Sequence, residues 1–285
     1  LNDPSDFVMR YYLPRIYGAL APLSRLPPFR TLVGGTGFTA ILGLFARPEF
    51  RDLADKLNRA GQEQEKMRKE GADFADEMAN LGFPSPQGGG GIQGVPFDAI
   101  SDFLRGMRGT MLDMYRCPDK LLAACDKIME WRIARAVPAN PKTRGNPKTQ
   151  GSALHRGSDE FMSIKQFEKF YWPQLKKNIL TNIDLGYVST PFFEGAWDQR
   201  LEYLLELPKG KVVFHCEKTD IFKAKEVLGG HMCIQGGVPN SLLAVGSPQD
   251  VEEHCKKLIR VIGKGGGFIL ASSGGGMDVA KPANM

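Results

Sequence analysis

Residues 211–238, KVVFHCEKTDIFKAKEVLGGHMCIQGGV, carry the reading of the fold. Lys211 to His215 is β-branched and aromatic, the composition of a strand. Asp220 opens a helical stretch that runs to Leu228 and closes on Gly229-Gly230. Met232 to Gln235 is a second strand. Strand, helix and strand with short connections make one parallel βαβ unit.

The same rhythm repeats on both sides. GSALHR (151–156) reads as a short strand or loop. A long helix follows from about Ser163 to Leu185, with Ser163 and Gln166 as a capping box and Gly186 as its stop. Tyr187 to Phe193 is a strand and Trp197 to Leu207 a short helix. Ser247-Pro248 opens a further helix with an N-cap and a first-turn proline, and that helix ends at Gly263. Gly267 to Ala271 is the last strand. Alternation of this kind requires a parallel sheet covered by helices, either doubly wound or a (β/α)8 barrel. No GxGxxG follows a strand and opens a helix, so the barrel is the expected architecture.

The first half is less regular. Residues 51–80 read as one or two amphipathic helices with a solvated charged face; Asp98 to Tyr115 and Pro118 to Val137 read as two more. The glycine-rich stretch 84–91 is expected to be a plain loop, because no Lys-Ser/Thr pair follows it to bind phosphate. Pro138 to Gln150 repeats NPKT and reads as a solvated basic loop. The expected organisation is residues 1–95 as an N-terminal helical and loop extension with early barrel elements, and 96–285 as the barrel body.

Composition narrows the class. Of 285 residues, 42% are hydrophobic and 24% charged, the balance of a globular protein and not of a disordered chain. The net charge of +5 is spread among 32 acidic residues, which fits an electropositive pocket at most and excludes a nucleic-acid surface. Five cysteines without a CxxC point to reduced thiols and a cytoplasmic protein. No apolar run reaches the roughly 18–20 residues of a membrane span, and nothing at the start reads as a signal peptide. The chain starts on Leu1 and stops at Met285, so native sequence missing at either end is allowed for.

In parallel α/β folds the chemistry lies at the carboxyl ends of the strands. Those ends carry His155, Arg156, Ser158 and Asp159; then Glu194, Trp197, Asp198 and Arg200; then His215, Cys216, Glu217, Lys218 and Asp220. Gln235 and Asn240 follow the fourth strand, and Ser272, Ser273 and Asp278 follow the last. Alternation along a strand puts His215 and Glu217 on one face and Cys216 on the other. His215 and Glu217 are candidates to pass a proton or hold a metal, and Cys216 is a soft ligand if the strand has ended. The alternative is a hydrogen-bonded His215 and a packed Cys216. Glu194 is a candidate acid, base or ligand. His231 and Cys233 enter a strand at its amino end and read as structural; His254 and Cys255 lie mid-helix and read as solvated or core.

These residues resemble the uroporphyrinogen decarboxylase superfamily, which includes corrinoid-linked methyltransferases. FMSIKQFEKFYWP (161–173), CIQGGVPNSLLAVGSPQDVEEHCKKLI (233–259) and GKGGGFILASSGGGMDVAKPAN (263–284) carry the resemblance, which covers about the last two thirds of the chain. It implies a (β/α)8 barrel, a homodimer and, in the methyltransferase branch, a cobalamin or corrinoid on a partner protein. The arginine-rich RQAGR string of true decarboxylases is absent; Arg25, Arg30, Arg47 and Arg51 are not so arranged. The methyltransferase branch has zinc held by HxC and a later Cys. Here His215 is kept, Glu217 replaces the first Cys and about Gly274 the last, so zinc would need His215, Glu217 and Cys216, or Glu194.

The resemblance leads to a methyltransferase acting on a small molecule, with His215, Glu217 and Glu194 as the catalytic candidates. His155, Arg156, Asp159, Trp197, Asp198, Gln235 and Asn240 are the substrate-binding candidates, with Phe193 and Trp197 as an apolar wall. A tetrapyrrole decarboxylase is the second reading. A catalytically silent barrel that binds a corrinoid or tetrapyrrole is the third.

Overall fold

The computed structural model describes residues 48–82, 87–88, 90–140, 147–274 and 279–285. Arg25, Arg30 and Arg47, the centre of the NPKT repeat and Asp278 lie outside them. The chain divides between Gly82 and Phe83 into two units. In the first, Pro48–Asn80 (α1) is one continuous helix, where the sequence allowed one or two. Its Lys56–Asp52 and Arg68–Glu65 ion pairs are exposed and screened by solvent, so they add little to its stability. No helix among the described residues is long and apolar enough to cross a membrane.

The second unit holds the strands. β1 (Gln87–Gly88), β2 (Lys148–Gln150) and β4 (Val188–Ser189) pair in that order; β3 (Ala153–Leu154), β5 (Phe192–Phe193), β6 (Val213–Cys216), β7 (Cys233–Val238) and β8 (Phe268–Ser272) pair in theirs. Every pairing is parallel. β2 and β3 are two parts of one strand interrupted at Gly151-Ser152. β4 and β5 are likewise interrupted at Thr190-Pro191, where the proline has no N–H to give a ladder. A bridge from Ser189 to Val212 joins the two sheets. Each strand thus lies beside the next in chain order without the reversal that marks a doubly wound sheet. This is the order of a (β/α)8 barrel.

Part of the expected glycine-rich loop is therefore strand. Its Gly91 is packed so tightly that a Cβ there would lie 2.6 Å from Asn182 Oδ1. Elsewhere the local signals act as read. The Ser163 hydroxyl accepts from the Gln166 amide, while Ser163 N–H donates to Gln166 Oε1 at 3.0 Å. The long helix they open is not uniform. It widens into a π-turn over Phe167–Tyr171, where the Trp172 N–H reaches back five residues to the Phe167 carbonyl. Pro173 follows at once; it has no N–H, and its ring would strike the carbonyl four residues back in a regular helix. The helix resumes as Trp172–Asp184 and stops at Gly186, whose φ is 91°.

Alternation sorts the strand residues. Phe193, Phe214, Cys216 and Ile234 are almost fully buried, in one cluster with Ile221, Ala224 and Leu228 of helix Ile221–Leu228 and with Val251 and Leu258 of helix Pro248–Val261. Phe192, His215 and Gln235 share the register row of the opposite face and are half-buried. A second packing centre stacks Phe167 on Tyr171 and Trp172, with Trp197 set edge-on at 5.8 Å from Phe167. Gly157 lies flush against this cluster: a Cβ there would come within 2.4 Å of Trp197 and 2.5 Å of Tyr171.

Candidate active site

Three neighbouring strand positions end side by side, and their next residues converge. His155 and Arg156 follow β3, Glu194 follows β5, and Glu217 and Lys218 follow β6. With Ser158, Glu160, Phe161 and Gly195 they line a cavity of about 310 Å³. Within it, His155 Nδ1 is 2.9 Å from Glu194 Oε2. Both side chains remain about a third exposed, at 37% and 33%, so the pair is open to a ligand. On the other side of the ring, His155 Nε2 is 3.9 Å from Asp102 Oδ2.

The frame around this pair is built from charged hydrogen bonds. Arg156 Nη2 donates to Asp102 Oδ1 at 2.7 Å, and its Nε to Ser101 Oγ at 3.3 Å. Ser101 and Asp102 sit on a second π-turn, Ile100–Leu104, in which the Arg105 N–H reaches the Ile100 carbonyl. Gly195 N–H donates to Glu217 Oε2 at 2.8 Å, and Ala196 N–H to Glu160 Oε2 at 3.1 Å. Two carboxylates thus clamp the backbone just after Glu194, and Trp197 Nε1 donates to the Glu194 carbonyl at 2.9 Å. Burial is the largest single influence on the Glu160 carboxyl and raises it, but its hydrogen bonds and Lys218 together outweigh that and hold it below the usual range.

Buried beneath the cavity, Asp98 accepts from the amides of His155 (3.2 Å) and Arg156 (3.1 Å) and from the Tyr171 hydroxyl (2.7 Å). Burial drives its carboxyl up to about 6, against the pull of Tyr171 and His155.

Of the sequence candidates, His155, Arg156, Glu194 and Glu217 come together at the cavity. The others have different positions. His215 is off to the side: its Nε2 is 3.4 Å from the Ser272 carbonyl, its ring lies 4.7 Å from that of Phe192, and burial lowers its pKa. Cys216 points its sulfur at the Gln235 carbonyl, 3.6 Å away inside the core, and burial pushes the thiol up to about 12. Trp197 and Phe193 are core residues, not a wall of the cavity. Asp159 pairs with the buried Arg200, whose guanidinium lies 4.8 Å above the Phe167 ring and is lowered to about 10 by burial. Asp198 Oδ1 accepts from the Asp220 amide at 3.2 Å. Asn240 opens helix Asn240–Val245 beside Gly274.

Zinc fits this arrangement poorly. His215 faces a carbonyl, Cys216 is a buried thiol, and Glu217 already accepts from Gly195. Among the described residues no group of three His, Cys, Asp or Glu is placed to hold a metal ion.

Asp98, Ser101, Asp102, Glu160, Phe161 and Tyr171 are parts of the site that strand-end reading does not reach. Asp98 and Asp102 sit in a helical stretch more than fifty residues upstream of their partners. The only sequence signal is an acidic pair flanking Ser101.

The family profile for uroporphyrinogen decarboxylase (URO-D) matches residues 89–285, more than half of the chain. The chain belongs to the URO-D family. Comparison with curated proteins finds no match. Among solved structures, the URO-D chain resembles a methyltransferase from Methanosarcina mazei at 19% identity and a TM-score of 0.55. The likeness covers 74% of this chain and 59% of that one, so the chain spans about three fifths of the length of that structure. At this identity it is the fold that is shared.

Proposed function

We propose that this URO-D family chain is a methyltransferase for a small substrate bound where β3, β5 and β6 end, with a corrinoid on a partner protein as the other party to the transfer. The observation that supports this reading best is the 2.9 Å contact between His155 and Glu194 inside the cavity. A methyl group on oxygen or nitrogen leaves an alkoxide or amide unless the heteroatom receives a proton, and a poised acid removes that obstacle. Glu194 accepts at Nδ1 and fixes the imidazole, which leaves Nε2 as the atom to exchange a proton with the substrate. Arg156, held by Asp102 and Ser101, orients an acceptor group of the substrate. Glu217 keeps Glu194 in place through the Gly195 amide. When bound, the corrinoid supplies the cobalt that gives or takes the methyl group. A cavity of about 310 Å³ suits a small molecule and not a corrin ring, in keeping with a corrinoid carried outside it.

The family description itself favours the second reading, decarboxylation of a tetrapyrrole. The charges around the cavity speak against it. Glu160, Glu194 and Glu217 face Lys218 and an Arg156 already paired with Asp102, a poor setting for a polycarboxylated porphyrinogen.

The test is turnover of methylcobalamin by the purified chain with a panel of methyl acceptors and donors, followed by cobalt absorbance. Corrinoid-dependent transfer that is lost in His155→Ala and Glu194→Gln is expected. Corrinoid-independent carbon dioxide release from a porphyrinogen, without methyl transfer, overturns the proposal.

A further inference from the structure

We propose that Asp98 is the positioning residue of this site: one buried carboxylate on a remote helical segment sets the backbone of His155 and Arg156, and with it the His155–Glu194 pair. The proposal rests on the site assigned above but not on the reaction assigned to it.

The geometry is specific. Asp98 is 3% exposed and lies 57 residues before His155 in the chain. Its Oδ2 accepts from the His155 amide and the Tyr171 hydroxyl, and its Oδ1 accepts from the Arg156 amide. Two consecutive amides just beyond a strand end need partners. Here a single side chain answers both, so the orientation of that peptide depends on one residue. The same segment also reaches the side chain of Arg156, through Asp102 and Ser101. Segment 98–102 therefore holds the main chain with one acid and a guanidinium with another.

The groups around Asp98 determine how it titrates. Asp102 lies on its own segment, His155 and Arg156 on the strand end, Tyr171 on the facing π-turn, and Cys125 and Arg132 on helix Pro118–Ile133. Burial dominates and places its ionisation at about 6. The ionised carboxylate accepts all three donors. Once protonated, one oxygen becomes a donor, and the double hold on the two amides is lost. Asp98 is in this sense a latch that releases the site on the acid side of neutrality.

Amide NMR of the full chain across about pH 5 to 7.5 tests this without turnover. The Arg156 amide is expected to titrate with a midpoint near pH 6, and to do so equally in His155→Gln, which removes the neighbouring imidazole. In Asp98→Asn that titration disappears. The fold is expected to be retained there, because the amide Oδ1 still accepts from the Arg156 N–H and Nδ2 donates to the Tyr171 hydroxyl, while the His155 N–H loses its acceptor. Tyr171→Phe, which removes one donor and leaves both amides held, is expected to shift the midpoint upward. An Arg156 amide that is flat across the range in the wild type, or that titrates unchanged in Asp98→Asn, overturns the proposal. Failure of the methyl-transfer assay leaves this result standing, so the two readings fail separately.

Discussion

His155 and His215 belong to two strand positions of one sheet that flank β5, and they fare differently. His155 follows the end of β3, a third exposed, with a carboxylate at each ring nitrogen. His215 lies within β6 and faces a backbone carbonyl and a phenyl ring, and burial lowers its pKa. Burial against a carbonyl and an apolar wall favours a neutral His215, whereas His155 has the Glu194 carboxylate as its partner. What a histidine can do is thus decided by what the surrounding strands place opposite it: Glu194 after β5 for His155, Phe192 of β5 and Ser272 of β8 for His215. From sequence His215 looks the stronger candidate, because Glu217 stands two residues away on the same strand face. In the structure Glu217 is committed to the Gly195 amide instead.

The comparison is open to direct attack. The largest effect is expected from His155→Ala or Glu194→Gln, which should lower methyl transfer by about 10²–10⁴-fold, the usual worth of a positioned acid or base. His215→Asn should stay within about threefold in the same assay; an equal loss in both would dissolve the distinction between the two histidines. Next comes Trp197→Phe, which deletes the hydrogen bond to the Glu194 carbonyl and part of the aromatic packing. A loss of about 1–3 kcal/mol is expected in urea denaturation. A smaller effect concerns pH. His215 has a folded pKa below its free value of 6.5, so the unfolded chain takes up that proton first. Its contribution to stability is full above about pH 6.5 and is lost as the pH falls through that range. His215→Asn should therefore flatten the acid side of a melting-temperature profile. The smallest effect is at Cys216: with its thiol pushed up to about 12, alkylation at pH 8 should proceed only as fast as the chain unfolds.

How much of this was legible depends on the range of each signal. Caps and stops act within a few residues, so the Ser163 capping box, the Ser247 N-cap and the Gly186 stop stand where the sequence puts them. Strand alternation is equally local, and it correctly buries Phe214 and Cys216 on the face opposite His215. The sequential strand order follows from the repeated βαβ rhythm. The roles of Trp197 and Asp159 were not legible, because they depend on Phe167, Tyr171 and Arg200 arriving from other elements. Asp98 and Asp102 were hidden for the same reason. They read as ordinary acids near a helix start, and only the folded chain brings them under His155 and Arg156.

Gly157 carries a consequence for the tolerance of the chain to change. In a saturation library, that position should lose every replacement, alanine included, since even one methyl group would collide with two aromatic rings. Gly71, in the exposed helix, has nothing within 4 Å of an added methyl group, and alanine there should be enriched by the roughly 1 kcal/mol that glycine costs a helix. Two glycines of the same chain would thus mark the opposite ends of its substitution spectrum.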